Sequence, residues 1–338
     1  MPTGEGGAVR VVISGSSGSL GRALLRRLTQ SGAERIVGFS RDEQRRAELV
    51  RDFGWHPGVR ILAGDVRDPD RLVDIFRGCD TVIHAAARKV VSAFPDEPRE
   101  MLLTNVLGTQ HVIEAAKAAG VRKLLFISSD KCCQAENVYG VTKALAEHLV
   151  ISGNAQSWPV GLRMGVLRYG NVLASRGSVL SVWRGCIERG EPLPVSDYRM
   201  TRFWLTLGQA VELVLQALSD LRGGEVFVPK LPAAPLVCIA EALAGSDYVN
   251  VKPGLRVIGI RPGGEKLHEV LLSAAETRRA RMRNSFIVVP PYQSDQMWDN
   301  APWLGEPVPE TFVYSSETAQ RLDVDEMRAL IARADQEG

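Results

Sequence analysis

Three features predict an α/β fold, a doubly wound parallel sheet followed by a smaller C-terminal lobe. Apolar strands alternate with amphipathic helices over the first half of the chain. Those strands are apolar nearly throughout, the pattern of strands covered on both faces. A glycine-rich turn joins the first strand to the first helix. In chain order, Val9 to Ser14 reads as a strand and Leu20 to Leu28 as a helix. Arg35 to Phe39, Arg60 to Ala63 and Thr81 to Ala85 read as the next three strands. Met101 to Ala119 has the spacing of one long amphipathic helix. Lys123 to Ser128 is a fifth strand, Tyr139 to Ile151 a helix and Gly165 to Arg168 a sixth strand, which closes a first domain spanning 8–168.

Beyond Arg168 the alternation weakens, and Pro192, Pro194, Pro229, Pro232 and Pro235 punctuate the chain. Helices are expected at Ser178 to Glu188 and Leu207 to Leu221, with short strands near Glu225 to Val228 and Arg256 to Ile260. Pro290 to Pro309 reads as an irregular surface loop. This half, 169–335, is expected to form a smaller substrate-binding lobe over the carboxyl edge of the sheet; whether it also returns strands to the sheet stays open.

The chain has 338 residues and a formal net charge of +2, which argues against nucleic acid as the main partner. No apolar run reaches the roughly 18 residues that cross a bilayer, so no membrane partner and a cytoplasmic location are expected. The arginine pairs Arg45-Arg46 and Arg278-Arg279 read as solvated helix faces. Five cysteines, an odd number without C-x-x-C spacing, argue against a disulfide framework. Five histidines without ligand spacing, together with that cysteine pattern, lead us to expect no metal.

Gly15-Ser16-Ser17-Gly18-Ser19-Leu20-Gly21 lies between the first strand and the first helix. Glycines there let the backbone approach a pyrophosphate, and the helix N-terminus favours its negative charge. The spacing is G-x-x-G-x-x-G, and a plain glycine–serine turn would look similar. Its place at a strand–helix junction makes a Rossmann-type dinucleotide cradle the better reading. The second strand ends in Ser40-Arg41, where an acidic residue would select NAD and an arginine accommodates the extra phosphate of NADP. NADP is therefore the expected cofactor. Asp65 and Val66 follow the third strand, where Asp65 could reach the adenine amino group; Asp68 nearby suits a helix N-cap. Ala85, at the end of the fourth strand, is expected to contact the cofactor.

Tyr139-Gly140-Val141-Thr142-Lys143 places Tyr139 and Lys143 on one helix face. A lysine there can lower the tyrosine's pKa and hold the nicotinamide ribose, so that the tyrosine accepts a hydroxyl proton. Y-x-x-x-K is common by chance, but here it opens the helix after strand five in a chain that already carries a cradle. With these two motifs the chain resembles the extended short-chain dehydrogenase/reductase family. Ser128-Ser129-Asp130-Lys131 ends strand five, where α/β sheets place chemistry. Asp130 and Lys131 offer an acid and a base; the plainer alternative is a surface ion pair.

A closer resemblance is to the inverting UDP-N-acetylglucosamine 4,6-dehydratases. It is carried by Gly64 to Asp68, Ser129 to Lys131, Arg168 to Val172, Ser175 to Val179, Arg199 to Trp204, Gly224 to Lys230 and Ile260 to Glu269. The resemblance implies a redox-neutral conversion of a UDP-linked amino sugar to a 4-keto-6-deoxy sugar. It assigns Tyr139 to the 4-hydroxyl proton, Lys131 to the proton on carbon 5 and Asp130 to the departing 6-hydroxyl. Burial and nearby charge would have to lower the pKa of Lys131 for that role. The resemblance also implies that Asn171 and Arg261 contact the diphosphate, that Arg176 and Arg199 lie near the uridine, and that Lys89 sits over the nicotinamide or sugar. A homo-oligomer is expected. The chain departs from the pattern at Cys132-Cys133, at Val90 where a histidine is usual, and at the extra Gly264. These positions border the sugar or diphosphate, and leave the exact sugar and the fate of carbon 5 open. The competing readings are an epimerase or ketoreductase of the same fold and a non-catalytic NADP-sensing module.

Overall fold

The computed structural model describes residues 9–89, 98–175, 177–251, 253–261, 263–292 and 305–337. The first half runs β1 (Arg10–Ser14), α1 (Ser19–Gln30), β2 (Arg35–Ser40), α2 (Glu43–Phe53), β3 (Val59–Ala63), α3 (Pro69–Phe76), β4 (Thr81–His84), α4 (Pro98–Met101), α5 (Gly108–Ala118), β5 (Lys123–Ile127), α6 (Val138–Ser157) and β6 (Arg163–Leu167). There follow β7 (Asn171–Val172), α7 (Val179–Glu188), β8 (Leu193–Val195), β9 (Thr201–Leu205), α8 (Leu207–Asp220), β10 (Val226–Pro229), β11 (Ala233–Pro235), α9 (Leu236–Ala244), α10 (Ser246–Asn250) and β12 (Leu255–Val257). The chain ends with β13 (Val270–Leu272), α11 (Ala274–Thr277), β14 (Arg281–Arg283), β15 (Phe286–Val289), β16 (Glu306–Pro307), β17 (Tyr314–Ser315) and α12 (Val324–Glu337).

A ten-stranded sheet, in the order β16-β14-β15-β10-β6-β5-β4-β1-β2-β3, forms the centre. From β3 to β10 its neighbours pair in parallel, whereas β15, β14 and β16 pair antiparallel. The parallel strands bury Val11 to Ile13, Ile36, Val37, Leu124 to Phe126 and Val166 almost completely, as sandwiched strands require. Strand order reverses between β1 and β4, and α/β sheets bind ligands in the crevice at that switch point.

The second half contributes β10, β14, β15 and β16 to this sheet and also builds its own core. That second core packs Trp183, Leu193, Met200, Trp204, Ile239, Met327 and Ile331 between α7, α9 and α12. Two expectations are corrected. The stretch Met101 to Ala119 is not one α-helix: a π-helical segment, Leu102–Leu107, separates α4 from α5. Asn105 sits in that wider turn and bonds the backbone of Arg88 from both sides. The stretch Pro290 to Pro309 is not wholly irregular, because Glu306 and Pro307 pair with β14 at the sheet edge. An edge strand tolerates a proline, which has no N–H to donate; residues 293–304 lie outside the described residues.

Candidate active site

The cradle forms where β1 meets α1. Gly18 caps α1, so the unpaired N–H groups of its first turn face the loop. A Cβ on Gly21 would stand 2.5 Å from the Gly15 carbonyl oxygen and 2.6 Å from the Ser16 Cα, so only glycine lets the helix close on the turn. Ser17 and Ser40 share a 2.8 Å hydrogen bond that ties the cradle to the end of β2. Beside it, Arg46 donates to the carbonyls of Ser40 and Arg41 at 3.3 Å each. Arg46 is therefore not a purely solvated helix residue. Arg41 is half exposed and faces Asp65 at 3.9 Å. Arg67, however, holds the Asp65 carboxylate at 2.7 and 2.9 Å, an engagement the adenine reading did not foresee. Asp68 caps α3 as expected. Val66 is buried, and Ser19, Leu20 and Ala85 line the same carboxyl end of the sheet. These features fit a dinucleotide phosphate at the helix N-terminus.

The loop after β4 is fixed from below by a directed chain of hydrogen bonds. Thr109 donates to the Asn105 carbonyl at 2.6 Å, so its oxygen accepts from His84 Nε2 at 3.0 Å. His84 Nδ1 then accepts from Ser14 at 2.7 Å, and Ser14 accepts from the Ala86 N–H at 3.1 Å. Burial, with the Lys143 charge beside it, keeps this imidazole neutral and holds its pKa down to about 3. Asn105 also reaches Thr142 on α6 at 3.0 Å. The Ala85 to Lys89 loop and the Tyr139 helix are thereby fixed to each other.

Tyr139, Lys143 and Glu147 recur at four-residue spacing along α6. A Cβ on Gly140 would lie 2.2 Å from the Lys131 carbonyl, so glycine lets α6 press against the Asp130-Lys131 loop. Lys143 is buried, donates to the Ile127 carbonyl at 2.6 Å and lies 3.8 Å over the Phe126 ring. Burial, opposed by Glu147, brings its pKa down to about 7. Tyr139 contradicts the expectation of a lowered pKa. Burial raises it and outweighs the help of its hydrogen bond with Ser129, and the charge on Asp130 adds to the rise.

Asp130 is completely buried, and the Lys131 side chain is 26 % exposed. Lys131 Nζ donates to both Asp130 oxygens, at 2.9 and 3.0 Å, and to Asn171 Oδ1 at 3.0 Å. A second carboxylate, Glu269, lies 3.3 Å from the same nitrogen. The expectation of a lowered Lys131 pKa is therefore corrected: burial works downward, but Asp130 and Glu269 together raise it. Burial in turn raises the pKa of Asp130 against the pull of Lys131. Lys266 clamps the loop from the second half, donating to the carbonyls of Asp130 and Cys133 at 3.0 and 2.7 Å.

The other expected contacts come together less completely. Asn171 meets Lys131. Lys89 is exposed at the end of its loop. Arg199 is paired with Asp197 at 2.8 Å and Arg261 with Glu265 at 3.1 Å, so both forks already hold carboxylates of their own lobe. Arg176 and Val90 lie outside the described residues. Sequence reasoning missed Glu147, Arg168, Arg202, Lys266 and Glu269. Glu147 had a legible signal in its position four residues after Lys143, and the other four lie within segments that carry the resemblance, to which no role was given.

Residues 11–291 match the family model described as polysaccharide biosynthesis protein. The chain belongs to that family. It is thereby an extended short-chain dehydrogenase/reductase. It is 38 % identical over 285 residues to a UDP-N-acetylglucosamine 4,6-dehydratase (inverting) of Campylobacter jejuni, covering 83 % of this chain and 82 % of that one. It is 34 % identical over 330 residues to a UDP-glucose 4-epimerase of Rickettsia conorii, covering 96 % of each. Among solved structures, Pen from Bacillus thuringiensis superposes with a TM-score of 0.87 at 31 % identity, covering 98 % of both chains.

Proposed function

We propose that this chain is a nucleotide-sugar 4,6-dehydratase acting on UDP-N-acetylglucosamine or a close relative, with NADP as a bound cofactor. The buried Asp130-Lys131 pair beside Tyr139 carries the reading, because elimination of water needs an acid and a base that simple oxidation does not. Lys89, Asn171, Arg199 and Arg261 are proposed to hold the sugar and its diphosphate, and planar guanidinium forks suit phosphate oxygens. Arg41, Ser40 and Arg46 are proposed to take the 2′-phosphate.

A bound oxidised nicotinamide supplies a positive ring and a reversible hydride acceptor. Tyr139 takes the proton of the 4-hydroxyl, and Ser129 positions that hydroxyl. The ketone at carbon 4 acidifies the proton on carbon 5. Lys131 is an ammonium at rest, so it becomes a base by passing one proton along its 2.9 Å hydrogen bond to Asp130. The neutral amine then removes the carbon 5 proton, and the Asp130 carboxylic acid protonates the leaving 6-hydroxyl. The pair thus returns to the ammonium–carboxylate state as water departs; once carbon 6 takes back the hydride, Lys131 would return a proton to carbon 5, leaving a 4-keto-6-deoxy sugar.

The Rickettsia relative favours a second reading, 4-epimerisation, which needs Tyr139 and Lys143 but not Asp130-Lys131. Mass spectrometry of UDP-N-acetylglucosamine after incubation with the enzyme separates the two. Loss of one water, without accumulating reduced cofactor, is expected; Tyr139→Phe should lose at least roughly 100-fold in rate. An isomer of unchanged mass would support the epimerase.

A further inference from the structure

Lys131 has two carboxylate partners, and the mechanism above uses one. Glu269 arrives from the second half of the chain, is 2 % exposed, and lies 3.3 Å from Lys131 Nζ. It is held independently by Lys266 at 3.0 Å and by Arg202 at 3.6 Å. Its backbone is pinned on both sides: its N–H donates to Ser316 Oγ at 2.8 Å and its carbonyl accepts the Ser316 N–H at 2.8 Å. A buried carboxylate ringed by three cations on a pinned backbone serves either as a structural ion pair or as a fixed charge acting on Lys131.

We infer that Glu269 is a positioning residue for the elimination. Its permanent negative charge holds Lys131 against Asp130 and makes Asp130, not Glu269, the carboxylate that carries the mobile proton. The inference rests on the dehydratase reading. The two carboxylates have unequal surroundings. The Asp130 carboxylate pairs with one cation, Lys131, while Lys266 reaches only the Asp130 backbone carbonyl, and the phenols of Tyr139 and Tyr169 lie nearby. Glu269 faces three cations, Lys131, Arg202 and Lys266; Arg202 is shared with Glu265, and His268 turns away to Thr201 and Glu317. Burial opposes ionisation of Glu269, but those cations hold its pKa down to about 2. A proton leaving Lys131 therefore goes to Asp130. No atoms are added to the elimination. The C5–H bond breaks toward Lys131 and the C6–O bond breaks as Asp130 gives up its proton. A C5–C6 double bond and water form, and Glu269 stays ionised throughout.

The catalytic form of the pair carries one proton, so the elimination rate should fall on both sides of a pH optimum. A nearby negative charge raises the proton affinity of both members. Removing it should move both limbs to lower pH by about one to three units. Glu269→Gln should therefore slow dehydration by about 10- to 100-fold, less than a group that itself transfers the proton. Transient reduction of the bound cofactor by the sugar should persist, while deuterium uptake from solvent at carbon 5 slows. Glu269→Asp keeps the charge but shortens the reach: it should slow dehydration and leave both limbs in place, and it gives a second test if the glutamine variant does not fold. Limbs that stay put in folded Glu269→Gln, limbs that move in Glu269→Asp, or equal loss of cofactor reduction and water loss would each overturn the inference. Wild-type enzyme that neither releases water nor exchanges carbon 5 would instead sink the dehydratase reading, whatever Glu269 does.

Discussion

Lys131 and Lys143 carry the same functional group 12 positions apart, yet burial acts on them with opposite outcomes. Lys143 meets a carbonyl and an aromatic face, with one carboxylate four residues away, and its ammonium is destabilised toward neutrality. Lys131 meets two carboxylates, and its ammonium is stabilised. The partners decide the charge, and a motif names only one of them. The same holds at the end of β2. Arg41 is legible as a phosphate partner, but Arg46 is brought to the Ser40 carbonyl only by the first turn of α2. We expect calorimetric titration to show tighter binding of NADP than of NAD. Replacing Arg41→Asp should weaken NADP by about 10- to 100-fold, the worth of a charge-assisted hydrogen bond, and improve NAD. Equal affinities in the wild-type protein would contradict this assignment.

At the level of elements, the inner face of α6, which bears the proposed Tyr139 and Lys143, is clamped at two points in its first half. Near its start, Thr142 joins Asn105 in the π-helical turn. One turn beyond Lys143, Glu147 accepts from Arg168 at 2.7 Å, from the same arginine at two further contacts, and from the Cys132 thiol at 2.9 Å. Arg168 stands just past β6 and also binds Glu276, on α11 of the second half, at 2.7 and 3.0 Å. It therefore joins α6 to α11 through a charge network that is almost wholly buried. Replacing Arg168→Met removes the shared cation and leaves two carboxylates facing each other. Loss of about 3–5 kcal/mol in urea unfolding is expected, together with weaker activity from a shifted α6. A change below about 1 kcal/mol would mean that the network is not holding the elements together.

Across the whole molecule, groups that resist protonation when folded set its response to acid. His84 has a pKa near 3 in the folded chain against an ordinary 6.5, and Glu269 and Glu276 have values near 2 against 4.5. In each case the unfolded chain binds the proton first, so stability rises with pH and falls on acidification. The His84 contribution begins to disappear below about pH 6.5, and the glutamate contributions below about 4.5. Burial lifts the Glu225 carboxyl to about 7, so the folded chain binds that proton first and offsets the His84 loss between pH 6.5 and 4.5. Melting temperature should therefore decline mainly below about pH 4.5. In His84→Gln the decline between pH 6.5 and 5 should be shallower than in wild type. An identical slope in that interval would show that His84 is not the group responsible.

The strand–helix alternation, the glycine turn and the grouping of Asp130, Lys131, Tyr139 and Lys143, proposed as catalytic, were legible in the sequence, because each depends on spacing within a short stretch. Periodicity marks which face of an element is buried, and a strand end marks where ligands gather. What periodicity could not reveal were the break at Leu102–Leu107, the strand at Glu306–Pro307 and the return of β10 and β14 to the sheet. Those depend on partners far along the chain. The same reason hid the electrostatics. Lys131 and Glu269 are 138 positions apart, and Arg168, paired with Glu147, meets Glu276 108 positions further along the chain. Local spacing determined which groups are available for chemistry. Tertiary packing alone decided which carboxylate lies beside which cation in a medium without water, and so which of those groups holds a proton.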